Sequence, residues 1–226
     1  MKGMTGSTGT QATGPTLSVV RAPADLELAE RCVAGDRAAQ QRLFHENKRR
    51  IHATLYRILG TNSYMDDLVQ EAFMNVYRSL RLFRGESSLA TWIDRCTVRV
   101  AYAHITQRRA RAPHLELVTD VASSDASAES RALAREAARH LYAELEKMDP
   151  VQRLAFTLHV IDGRPLSEVA ELMEASLVAT KTRVWRARRA IEKRARKDAT
   201  LAAFVPDEEI SDDDEVPPES GVQEGL

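Results

Sequence analysis

The densest chemistry in this 226-residue chain is cationic. Between Lys181 and Lys197 stand nine Lys or Arg residues and one acid, Glu192. Leu177, Val184, Ala187 and Ile191 fall at helical spacing through the stretch. That spacing turns them inward and leaves Lys181, Arg183, Arg186, Arg188 and Arg189 on an almost wholly cationic surface. Such a surface attracts polyanions by neutralising phosphates and releasing their counterions. A lone Arg-rich helix is still better read as a solvated domain end, so the neighbouring elements must decide. Downstream, nine acidic residues between Asp207 and Glu224 occur with no Lys or Arg, so the formal charge of −1 hides a basic body and an acidic end. The default for such an end is a disordered, solubilising tail. The matching counts of nine add a sharper expectation, that the tail folds back on the Lys181 to Lys197 surface and competes with its polyanion partner.

Covalent chemistry has no comparable support. The chain lacks a phosphate loop, a dinucleotide glycine signature, a His pair at metal spacing and a nucleophile motif. His104, His140 and His159 are isolated, each read as structural or exposed. Cys32 and Cys96 are too few and too far apart for a disulfide framework or zinc site and read as small buried residues. No catalytic residue, metal, cofactor or small-molecule substrate is expected. No run of about eighteen apolar residues exists to span a membrane, and Met1 to Pro23, rich in Gly, Thr and Ser, lacks the order of a secretory signal. A cytosolic chain with a disordered start, residues 1–23, is the expectation.

The elements that must position the cations are helical. Ala, Leu, Arg and Glu dominate while aromatics make up only 5%, which suits helices better than sheets. Asp149-Pro150 is a strong helix start with Gln152 at the capping-box position, and Val151, Leu154, Ala155 and Leu158 give it one buried face. Gly163 to Pro165 ends that helix, Ser167 restarts one with Val169, Ala170 and Leu172 inward, and a turn at Glu174-Ala175 leads into the cationic helix from Ser176. Three short helices with tight turns make a helix-turn-helix, whose second helix enters the major groove by its amino-terminal end. Ser176, Ala179, Thr180, Lys181 and Arg183 would then face base edges or flanking phosphates, with Arg186 and Arg188 neutralising the backbone.

A second block precedes it. Asp36 is a plausible cap and Gly60 a stop for a helix carrying Phe44, Ile51, Leu55 and Ile58. Ser63 and Asp66 have capping-box spacing ahead of a stripe of Val69, Ala72, Phe73, Val76 and Leu80. After a break at Arg84 to Ser88, a third helix carries Trp92, Ile93, Cys96 and Val100 on its apolar side. The expectation is an all-α protein of two small helical domains, residues 24–111 and 132–200, joined by a flexible linker over 112–131 and followed by a disordered acidic tail, 201–226.

Leu166 to Ser176, followed by Thr180 to Ala190, resembles the promoter-reading fourth region of extracytoplasmic-function sigma factors, a winged-helix-like unit that binds the minus-thirty-five element. Asp66-Asp-Leu-Val-Gln-Glu-Ala-Phe, then Phe83-Arg-Gly-Glu-Ser-Ser-Leu-Ala-Thr-Trp-Ile, is similar to the second region of the same family, in the same order. The resemblance implies a bacterial transcription initiation factor with core RNA polymerase and promoter DNA as partners, and in many members an anti-sigma protein. It implies that the helix of Asp67, Gln70, Glu71 and Asn75, a polar face turned from the Val69/Phe73 stripe, docks on polymerase. It implies that Arg84, Gly85, Glu86, Ser87 and Ser88 capture an unstacked base of the minus-ten element, near Trp92, with Arg95, Arg99, Arg108 and Arg109 along the opened strand. Gly85 would let the backbone approach a nucleotide while Glu86, Ser87 and Ser88 meet a base edge; Ser88 also reads as a cap for the Leu89 helix. Two departures stand out: Glu174 occupies a turn where the family usually has Gly, and Leu177-Val178-Ala179 replaces a small-Gly-Thr stretch. The rival reading is a helix-turn-helix regulator that works without polymerase; it leaves the Asp67/Gln70/Glu71 face and the Gly85 loop unexplained.

Overall fold

The computed structural model describes residues 23–111 and 127–202, and within them every regular element is helical. The first half holds α1 (Pro23–Val33), α2 (Arg37–Leu59), α3 (Met65–Ser79) and α4 (Leu89–Arg111). The second holds α5 (Ala128–Leu145), α6 (Pro150–Phe156), α7 (Leu166–Leu172), α8 (Leu177–Ala195) and α9 (Ala199–Ala202). Most of the expected amino-terminal segment, acidic tail and linker lies outside the described residues, but Pro23 already opens α1, and Leu201, which is buried, and Ala202 still belong to α9, so the helical part runs two residues past the expected start of the tail. The expected linker overruns, because α5 already begins at Ala128: Ser127 accepts the Ser130 amide at 3.1 Å and Glu129 sits in the first turn, both favourable at a helix start.

The start and stop signals act largely as their chemistry dictates. Asp36 Oδ1 accepts the amides of Ala38 at 2.9 Å and Ala39 at 3.2 Å, and Gly60 closes α2 at φ 71° with its amide donating to the Tyr56 carbonyl. Asp149 Oδ1 caps α6 through the amides of Val151 and Gln152. The Ser63 capping box does not form. Tyr64, at φ 62°, stands at the cap of α3 with no side-chain cap bond, and the Ser63 amide and hydroxyl are instead engaged by Thr61 Oγ1 at 3.1 Å each.

The α3 stripe of Val69, Ala72, Phe73 and Val76 packs with Ile51, Leu55 and Ile58 of α2 and Ile93 and Val100 of α4, as the periodicity requires. Half-buried Phe44 meets Phe73 at 4.6 Å between ring centroids. The two halves do not keep separate cores, however. Leu154, Leu158, Val169 and Leu172 belong to the same buried cluster as α2 to α4, and only a smaller group around Tyr142, Leu145, Phe156, Ala187 and Ile191 is confined to the second half. Seven-residue helices such as α6 and α7 are marginal alone, and burying their outer sides against α4 supplies the missing apolar cover.

Polar groups reinforce that seam. Arg153, only 4% exposed, donates to the Ile58 carbonyl and, at 3.1 Å, to that of Leu59, the last carbonyls of α2, which have no partner within their own helix. The Tyr142 phenol donates to the Arg57 carbonyl at 2.5 Å, and its ring covers Gly60, where an added Cβ would lie 2.3 Å from it. Burial pushes the Tyr142 phenol well above its ordinary value. Asp94 of α4, fully buried, accepts from Arg50 at 2.6 Å and from Arg164 of the other half at 2.7 Å. Arg164 also holds Asp162 and Glu168.

Candidate nucleic-acid interface

The helix-turn-helix is built from α6, extended by a π-helical turn over Thr157–Ile161, then α7 and α8. Ser176 caps α8 by accepting the Ala179 amide at 3.1 Å. Val184, Ala187, Ile191 and Ala195 form its buried side, so Lys181, Arg186 and Arg188 are exposed and Arg183 is half-buried, as expected. Arg189 lies over the Trp185 ring at 5.5 Å. Two expectations at the helix start fail. Thr180 is fully buried with its hydroxyl donating to the Ser176 carbonyl at 3.0 Å, so it cannot face a base edge. Leu177 is 45% exposed rather than packed inward, although it lies two turns before Val184 on the same side of α8. Val178, noted in the sequence only as a departure from the family pattern, is 55% exposed; its helical position away from the Val184/Ala187 stripe could have revealed this.

Glu174 adopts φ 51°, the left-handed conformation that Gly reaches more cheaply. Its carboxylate forms an ion pair with Arg99, and Glu171 one turn earlier pairs with Arg95. Two of the arginines expected along the opened strand are thus engaged by acids of the helix-turn-helix.

In the first half, Asp67, Gln70 and Glu71 are exposed and Asn75 is half-buried, on the side of α3 away from Val69 and Phe73. Neither carboxylate forms an ion pair among the described residues. In the following loop Arg84, Glu86 and Ser88 are exposed and Ser87 half-buried. Gly85 is buried at φ 71°, and an added Cβ would meet the Leu26 side chain of α1 at 3.1 Å. Its close neighbour is therefore α1, not the open space a nucleotide would need. Asp25 of α1 also accepts the Leu89 amide at 2.8 Å, while Ser88 Oγ accepts that of Thr91 at 3.0 Å, so α1 and Ser88 together cap α4. Half-buried Trp92 packs edge-on against Phe83 at 5.8 Å, behind the loop.

Residues 43–111 match the sigma-70 region 2 family model and residues 138–191 the sigma-70 region 4 model. The ECF RNA polymerase sigma-E factor of Haemophilus influenzae is 30% identical over 179 residues, covering 75% of this chain and 94% of that protein. The chain belongs to the ECF sigma factors of the sigma-70 family.

The RNA polymerase sigma-H factor of Pseudomonas aeruginosa is 29% identical, over 75% of this sigma factor and 92% of its own length. Two solved structures share the fold at a TM-score of 0.51. CnrH, in complex with the cytosolic domain of CnrY, is 22% identical and covers 80% of this chain and 96% of its own. The sigma factor RpoE in complex with the anti-sigma factor NepR, from Bartonella quintana, is 18% identical and covers 70% and 97%. The sigma factor described here is a transcription initiation factor whose partners are core RNA polymerase and promoter DNA. No helix among its described residues is long and apolar enough to cross a membrane.

Proposed function

We propose the following division of labour. The exposed face of α3 (Asp67, Gln70 and Glu71, with Asn75 at its edge) docks on the polymerase. The accessible loop residues Arg84, Glu86, Ser87 and Ser88, backed by Trp92, hold an extruded base of the minus-ten element while Gly85 seats the loop on α1, and Arg95 and Arg99 follow the opened strand. The amino-terminal half of α8 reads the minus-thirty-five element: Ser176 and Ala179 lie at its start and Lys181, Arg183, Arg186 and Arg188 contact phosphates or bases, with Thr180 as an internal support. Extruding a base costs a few kcal/mol, which loop contacts must return without a cofactor or any catalysis by the chain itself. The working compartment is that of the polymerase, the bacterial cytoplasm. A separate anti-sigma protein, such as the one bound to the Bartonella relative, is a further partner.

The observation that carries the reading is the α3 face. Its carboxylates are exposed and form no ion pair among the described residues, while the opposite side of the same helix is fully packed. In a polymerase-independent regulator the same face would be ordinary solvated surface. Glu71→Arg should therefore lose core polymerase binding by tenfold or more, within the range for truncated interfacial charge pairs, while its helix content stays that of the wild type. Unchanged affinity would remove this face from the interface.

A further inference from the structure

The outward side of α8 holds a feature that electrostatics does not use. Val178 and Thr182 stand one turn apart opposite the buried stripe. The polar groups nearby are already committed: Ser176 Oγ to the Ala179 amide, the Thr180 hydroxyl to the Ser176 carbonyl and the Thr182 hydroxyl to the Val178 carbonyl at 3.0 Å. What this end of the helix offers a groove is methyl groups set among cations. In the major groove the complementary group is the C5-methyl of thymine, the one apolar mark among base edges.

We propose that Val178 is a specificity-determining residue that packs on a thymine methyl of the minus-thirty-five element, with the Thr182 methyl extending the contact. The proposal rests on the reading of α8 as the promoter helix. The test uses full chain with core polymerase on a promoter selected in vitro, replacing each minus-thirty-five thymine singly by deoxyuridine, which pairs identically but lacks the methyl. At one position the substitution should weaken wild-type binding about fourfold, the worth of one buried methyl group, and cost Val178→Ala nothing. Val178→Thr, which keeps a methyl, should retain the discrimination. Equal binding of thymine and uracil at every position, with promoter binding intact, overturns the methyl contact alone; it would leave Leu177 and Val178 as a protein-facing patch. Failure to select any promoter overturns the promoter reading as well.

Discussion

Arg153→Met tests whether the seam is held by a buried guanidinium. Arg153 is 4% exposed and sends Nε to the Ile58 carbonyl at 3.3 Å and Nη2 to the Ile58 and Leu59 carbonyls at 3.1 Å each. These carbonyls form the negative end of the α2 dipole. Burial pulls the guanidinium below its ordinary pKa, a sign that its own desolvation works against the contact. Methionine keeps a comparable apolar stem but donates nothing, leaving two buried carbonyls short of a partner at about 1 to 3 kcal/mol each. Relief of the buried charge offsets part of that loss, and a net loss of about 2 kcal/mol remains. With a urea slope of about 2 kcal/mol per molar, the midpoint should fall by about 1 M. Trp92 lies in one half and Trp185 in the other, so Trp92→Phe and Trp185→Phe backgrounds each report one side. The shared core predicts coincident transitions in wild type and, in Arg153→Met, an earlier transition seen by Trp185. Coincident transitions at the wild-type midpoint would show that water replaces the guanidinium without loss and would refute the reasoning.

Two further outcomes follow from the same contacts. Burial, with Arg108 and Arg153 adding repulsion, holds the His104 imidazole below its ordinary pKa of 6.5. The unfolded chain then takes up the proton first, so stability should fall as pH drops below about 6.5, and His104→Gln should flatten a urea-midpoint series taken from about pH 7.5 to about 5.5. Lys181 is exposed on α8, so as a proposed phosphate contact Lys181→Ala should weaken binding evenly across promoter sequences and reduce the slope of log affinity against log salt by about one; loss confined to one base position would reassign it as a base reader.

Much of the local architecture was legible because it is written in local chemistry. Asp36 and Gly60 bound α2, Asp149-Pro150 opens α6, and the Val69 to Val76 stripe faces inward at its spacing. The seam was not legible. Asp94 and Arg164 are 70 residues apart, and nothing periodic links them. Two small domains were expected because each half shows its own stripes; that α6 and α7 are apolar toward α4 as well, and so share its core, emerges only in three dimensions. Ser63 carried the right residue type for a cap but is engaged by Thr61. At the site, the α3 face followed from helical periodicity, since every neighbour lies on the same helix. Thr180 and Leu177 were misplaced because the first turn of α8 is covered by different neighbours from its later turns. Gly85 was assigned to a nucleotide because its partner, Leu26, lies on α1, far back in the chain.

The proposed function requires the two halves to act together, through polymerase, at one promoter. The most direct measurement is sequencing of the 5′ ends of transcripts made by purified core polymerase with and without the full chain on fragmented bacterial DNA. New start sites should appear only with the chain, share a sequence element at each of the two promoter positions, and vanish with Glu71→Arg. Sequence-selective DNA binding with no new start sites would contradict it and establish a regulator that works without polymerase.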